Sequence, residues 1–89
     1  MYKICRITDL NNIDKTEKDA VARLDRVIDE HHSNMAVGVN GMLFCVYPGV
    51  DKSILTTKIS RLYRQKNMLI IETKNSKYWL RQLEDKEDK

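Results

Sequence analysis

The chain has 89 residues, 42% of them hydrophobic and 33% charged, with one proline, three glycines and a formal net charge of +3 at pH 7. That length holds one modest core, and that balance excludes disordered and low-complexity chains. No run reaches the roughly 18 apolar residues of a membrane span and the N-terminus lacks the apolar stretch of a signal peptide, so a cytoplasmic single domain over residues 1–83 is expected, without a membrane.

In chain order, Tyr2-Lys3-Ile4-Cys5-Arg6-Ile7 alternates polar and apolar residues and predicts a short strand. Asp14 followed by Glu17 has the spacing of a capping box, and Ala20, Val21, Leu24, Val27 and Ile28 recur at helical spacing, predicting a helix through to His31. Its other side is mixed in sign, with Lys18, Asp19, Arg23, Arg26, Asp29 and Glu30 suited to mutual pairing. Asn40-Gly41 between two apolar runs predicts a hairpin over Met35 to Tyr47, because both residues tolerate the positive φ of a tight turn. Pro48-Gly49 ends it, and Asp51 or Ser53 caps a second helix through about Lys66, with Ile54, Leu55, Ile59, Leu62 and Tyr63 on its apolar side. Met68 to Thr73 and Lys77 to Leu83, joined by Lys74-Asn75-Ser76, predict a second hairpin. The order strand, helix, hairpin, helix, hairpin makes an α+β domain, with Leu24, Val27, Ile28, Leu43, Cys45, Leu62, Leu69 and Ile71 as its core. Residues 84–89 carry no apolar side chain and form a charged tail, available to a protein partner.

Cys5 and Cys45 stand in apolar runs without a Cys-x-x-Cys spacing and read as two buried thiols, neither metal-binding nor, in the cytoplasm, disulfide-bonded. His31-His32 point about 100° apart on a helix, a poor geometry for one metal. No P-loop, dinucleotide turn, His-Glu-x-x-His or nucleophile elbow occurs, so neither an enzyme nor a cofactor is expected.

The charge is segregated: residues 52–82 carry eight cations against the single Glu72, while the remainder is mildly acidic. Such an uneven distribution is the footprint of a polyanion-binding face. Lys58, Arg61 and Arg64 would line the second helix, and Lys74, Lys77 and Arg81 the following hairpin, beside Tyr78 and Trp79. By strand alternation only one of those two aromatic rings can face the core, leaving the other to stack on a base.

From Met35 to Leu83 the chain resembles a winged helix. The residues that carry the resemblance are the helix-like Thr57-Lys58-Ile59-Ser60-Arg61-Leu62-Tyr63-Arg64-Gln65-Lys66-Asn67 and the two wing strands Met68 to Thr73 and Lys77 to Leu80. It is similar to modules of mobile-element helicase and relaxase proteins and to small winged-helix proteins that bind single-stranded DNA. The resemblance implies a nucleic-acid-binding accessory protein. Asp51 to Asn67 is short for two helices and a turn, which favours backbone and single-strand contacts over major-groove reading. The alternative is a phage or mobile-element inhibitor whose basic face occupies a host protein's nucleic-acid-binding or acidic surface.

Overall fold

The computed structural model describes residues 1–47 and 53–83. The Pro48-Gly49 stop, the Asp51 cap, Lys52 and the tail 84–89 lie outside the described residues. The elements are β1 (Tyr2–Thr8), α1 (Lys18–Ala22), β2 (Val27–Ile28), a 3₁₀ turn (Glu30–His32), β3 (Asn40–Leu43), β4 (Cys45–Tyr47), β5 (Ile54–Lys58), β6 (Arg61–Gln65), β7 (Met68–Glu72) and β8 (Lys77–Gln82). The α+β, winged-helix-like order is therefore overturned: the domain is antiparallel β throughout, with one short α-helix.

Six strands pair in the order β4-β2-β1-β8-β7-β6, and β3 pairs with β5. Two bends join these sheets. The chain runs from β3 into β4 through Phe44 alone, and from β5 into β6 through Ile59 and Ser60. Pairings and these two connectors together make a circuit, β1 to β2, to β4 and β3, to β5 and β6, to β7, to β8 and back to β1, a small barrel closed through the chain at β3–β4 and β5–β6.

The interior is filled by Ile4, Ile7, Ile28, Leu43, Cys45, Ile54, Ile59, Ile71 and Leu80 with the rings of Tyr2 and Tyr78, and Ala20, Leu24, Met35, Leu62 and Leu69 pack against them. Burying each branched aliphatic side chain contributes about 1.5–3 kcal/mol. Of the expected core, Val27 stays partly exposed outside this cluster.

Each departure from the expected elements has a local cause. Ile54, Leu55, Ile59 and Leu62 fit helical spacing, but Ile54, Thr56, Thr57 and Ile59 are β-branched and lose rotamer freedom in a helix. In β5, burial alternates at Ile54, Leu55, Thr56 and Thr57, and the Ile59-Ser60 corner then shifts the phase. A strand, a corner and a second strand thereby reproduce a spacing near three. The first helix stops after Ala22 because Asp25 sits at φ 67° and Ile28 is drawn into pairing with Tyr2 of β1. Asp14 is no N-cap; it bridges to Thr8 and binds Arg6, and Glu17 takes the cap position without a side-chain bond. The hairpin from Met68 to Leu83 is present as β7 and β8, in register from Met68↔Arg81 to Glu72↔Lys77.

Asn40-Gly41 is not a turn: both residues lie in β3, and the turn forms earlier, around Gly38 at φ 94°. Gly41 is needed for close approach. Its amide donates to Thr56 Oγ1 at 2.9 Å, and a Cβ would lie 2.6 Å from that oxygen and 3.0 Å from Ile59 Cδ1. Gly41→Ala is expected to cost about 1–3 kcal/mol by overpacking, measured by urea denaturation, and unchanged stability would contradict this packing. The tight β6–β7 turn places Lys66 at φ 59°, a conformation that costs non-glycine residues about 1 kcal/mol or more. Lys66→Gly should therefore hold or raise the melting temperature, whereas glycine at an ordinary strand-flanking position lowers it.

Candidate nucleic-acid interface

Antiparallel register assigns the side chains of β1, β8, β7 and β6 to two faces. Ile4, Leu80 and Leu69 point into the barrel, as do Ile7, Tyr78, Ile71 and Leu62. The opposite, outer face carries three rows running across the strands: Lys3, Arg81, Met68 and Gln65; then Arg6, Trp79, Ile70 and Tyr63; then Thr8, Lys77, Glu72 and Arg61. A bulge makes this possible. The register of β1 against β8 slips between Ile4 and Arg6, so Cys5 is the extra residue and Arg6 joins the outer face while Ile7 returns inside.

The middle row is the apolar centre of that face. Ile70 is fully buried there, apart from the interior cluster, between Trp79 on one side and Tyr63 on the other. Each ring carries a cation. The Arg6 guanidinium lies 5.2 Å from the Trp79 centroid and is held by Asp14 and by the Asn12 carbonyl at 3.0 Å; that of Arg61 lies 4.5 Å from the Tyr63 centroid. Trp79 is oriented by its Nε1–H, which donates to Thr8 Oγ1 at 3.0 Å.

Glu72 organises the third row. Its Oε2 accepts from the Tyr63 hydroxyl at 3.0 Å and from Arg61 at 3.3 Å, with Lys77 Nζ at 3.6 Å, and its side chain is only 11% exposed. A carboxylate so enclosed is tolerable because several donors meet it. Lys77 is also fixed by Asn12 Oδ1 at 2.9 Å.

The expected site residues are divided by this geometry. Arg61, Lys77, Trp79 and Arg81 come together on the outer face. Tyr78 is inside, 5% exposed, accepting a hydrogen bond from Arg23 at 2.8 Å, so Trp79 is the outward aromatic. Arg64 turns to the barrel end, where it donates to Tyr2 Oη at 2.6 Å and Gln82 Oε1 at 3.4 Å. Lys74 lies in the β7–β8 turn, and Lys58 ends β5, opposite Asn40 in the other sheet. The second helix that was to carry Lys58, Arg61 and Gln65 on one stripe, with Arg64 flanking it, does not exist, which is why they separate. Lys3, Arg6 and Tyr63 were missed as site residues; the alternation of Lys3 with Ile4 was a signal for Lys3 alone, because unbroken alternation puts Arg6 on the side of Ile4 and helical spacing puts Tyr63 on an apolar side.

Cys45 is buried as expected, whereas Cys5 is exposed, and both thiols are free. His31 and His32 sit in the 3₁₀ turn, where Asp29 accepts from the His31 amide and faces His32 Nδ1 at 2.7 Å. The His32 contact holds the Asp29 carboxyl below its ordinary range. Among the described residues no three His, Cys, Asp or Glu side chains are grouped to hold a metal, and no helix is long and apolar enough to cross a membrane. Comparison with family models, curated proteins and solved structures finds no match for this chain.

Burial, and then the hydrogen bond to Glu72 and its charge, raise the Tyr63 phenol above its usual 10.0, against the opposing pull of Arg61. The folded state thus favours neutral Tyr63, a contribution complete below the unfolded value and lost as pH rises through the folded one. The tyrosinate absorbance assigned to Tyr63 by difference from Tyr63→Phe should appear at higher pH than for a free tyrosine. Glu72→Gln should move it part of the way back, and no movement would mean that Glu72 does not act on the ring.

Proposed function

We propose that this chain is a non-enzymatic nucleic-acid-binding accessory protein, with single-stranded DNA the favoured ligand, and that the strand lies across the outer face of β1, β8, β7 and β6. The observation that carries this reading is the middle row: Trp79 and Tyr63 on either side of buried Ile70, with Lys3 and Arg81 along one flank and Arg61 and Lys77 along the other. Strands two apart are separated by about 10 Å, which places the two aromatic groups under different bases of one strand. Arg6 adds a guanidinium plane over Trp79 on which a base can stack. Phosphates then meet the flanking cations. A barrel face offers no helix or ribbon to enter a major groove, and stacking needs unpaired bases, so single strands suit it better than duplex.

Several cations of the face already have partners: Lys3 lies 3.8 Å from Asp25, Arg6 binds Asp14, and Arg61 and Lys77 share Glu72. Arg81 has no ion-pair partner among the described residues and is the strongest phosphate candidate. Arg81→Ala should weaken binding to all sequences equally and lower the salt slope by about one unit. Tyr63→Ala should cost about 1–3 kcal/mol on single strands and much less on duplex. Lys58→Ala, in the other sheet, should leave binding unchanged. Trp79 fluorescence titrations with labelled single and double strands at two salt concentrations test all three. Absence of binding to either substrate would reject this reading and leave an acidic protein surface as the partner.

A further inference from the structure

The bulge that turns Arg6 outward also delivers a thiol to the surface. Cys5 Sγ lies 3.5 Å from Met68 Sδ, across β8, and 3.3 Å from the Trp79 carbonyl oxygen. Cys5 is exposed and Met68 partly so, with both on the outer face. A thiol and a thioether are the donor pair that soft cations select, whereas zinc sites call for four nitrogen or sulfur ligands and calcium or magnesium for oxygens. Metal–sulfur bonds of about 2.3 Å, the thiolate value at zinc, allow one ion to bridge sulfurs up to ~4.6 Å apart, so sulfurs 3.5 Å apart need to separate by only about 1 Å to hold one in line. The surrounding charge also discriminates. Lys3 and Arg81 share the Met68 row and Arg6 follows Cys5, a neighbourhood of basic residues that disfavours a divalent ion. A monovalent ion on a deprotonated thiol leaves the pair neutral.

We propose that Cys5 and Met68 form a surface site for a monovalent soft metal ion, Cu(I) or Ag(I). On binding, the Cys5 S–H bond breaks, its proton goes to solvent, and a sulfur–metal bond forms; no electron is transferred. The site lies on the face of the proposed strand path, but it rests on the two sulfurs and not on nucleic-acid binding.

The test is titration of the full chain with Ag(I), and with Cu(I) held by a competing chelator under ascorbate, followed by quenching of the single Trp79 beside the site. One ion per chain is expected, with binding lost in Cys5→Ser, weakened at least tenfold in Met68→Leu, and restored in Met68→Cys. Circular dichroism of each variant confirms its fold, and Zn(II) is expected to cause no quenching at the same concentration. Equal affinity of Met68→Leu and wild type would reduce the site to a reactive thiol and overturn the proposal, as would retention of the ion by Cys5→Ser.

Discussion

Interior and surface both hang on how β1 breaks its own alternation. A regular strand with Ile4 inside would place Cys5 outside, Arg6 inside and Ile7 outside, putting a guanidinium into an aliphatic core at a cost of several kcal/mol. The extra residue at Cys5 resets the phase, so Ile4 pairs with Leu80 and Ile7 with Tyr78, both inward, while Arg6 pairs with Trp79 on the outside. β2 pairs with β1 at Tyr2 and Lys3, ahead of the bulge, so the reset acts on the register against β8. Bulges of this kind are devices for re-aiming side chains, and here one bulge seats two isoleucines and exposes an arginine and a thiol.

The outer face is a second, thinner assembly built on that register. Ile70 is enclosed without contributing to the barrel interior, and its neighbours Trp79 and Tyr63 are each tied to a polar partner, Thr8 and Glu72. The rings are therefore oriented before any ligand arrives, which lowers the entropy lost on binding. The same ties have an electrostatic consequence. Glu72 is shared by Arg61 and Lys77, and Asp14 pairs with Arg6, so the face is more a set of positioned cations than a strongly positive field. Such a surface favours defined short-range contacts over long-range steering, whose reach is about 10 Å at ordinary salt.

The C-terminal hairpin was legible because its two strands lie adjacent in sequence, with alternating apolar residues and a polar connection. Two of the missed elements have a different property, partners further off: β5 pairs with β3, which precedes it across the 48–52 segment, and β2 pairs with β1 from the start of the chain. The third, β6, pairs with adjacent β7 but continues the apolar spacing of β5. A local window sees apolar residues three and four apart around Ile54 to Leu62, or from Ala20 to Ile28, and cannot distinguish a helix from strands bent at a corner. Gly41 shows the same ambiguity. Asn-Gly commonly signals a turn, but the absence of a side chain serves equally for contact with Thr56, fifteen residues away.

By itself, the sequence determined composition-level properties and local ones: an uneven charge distribution, a β7–β8 hairpin, and the rule that Tyr78 and Trp79 face opposite ways. Only the tertiary structure decided which of the two faces outward, because that depends on which side of β8 the barrel closes. It also decided which cations stand together. Charge along a chain adds up without regard to direction, whereas a binding face depends on the side of the strand each residue occupies, and a single bulge or corner inverts that side. Arg61 and Arg64, three residues apart, would have shared one side of a helix; on β6 they point to opposite faces, because a strand alternates every residue.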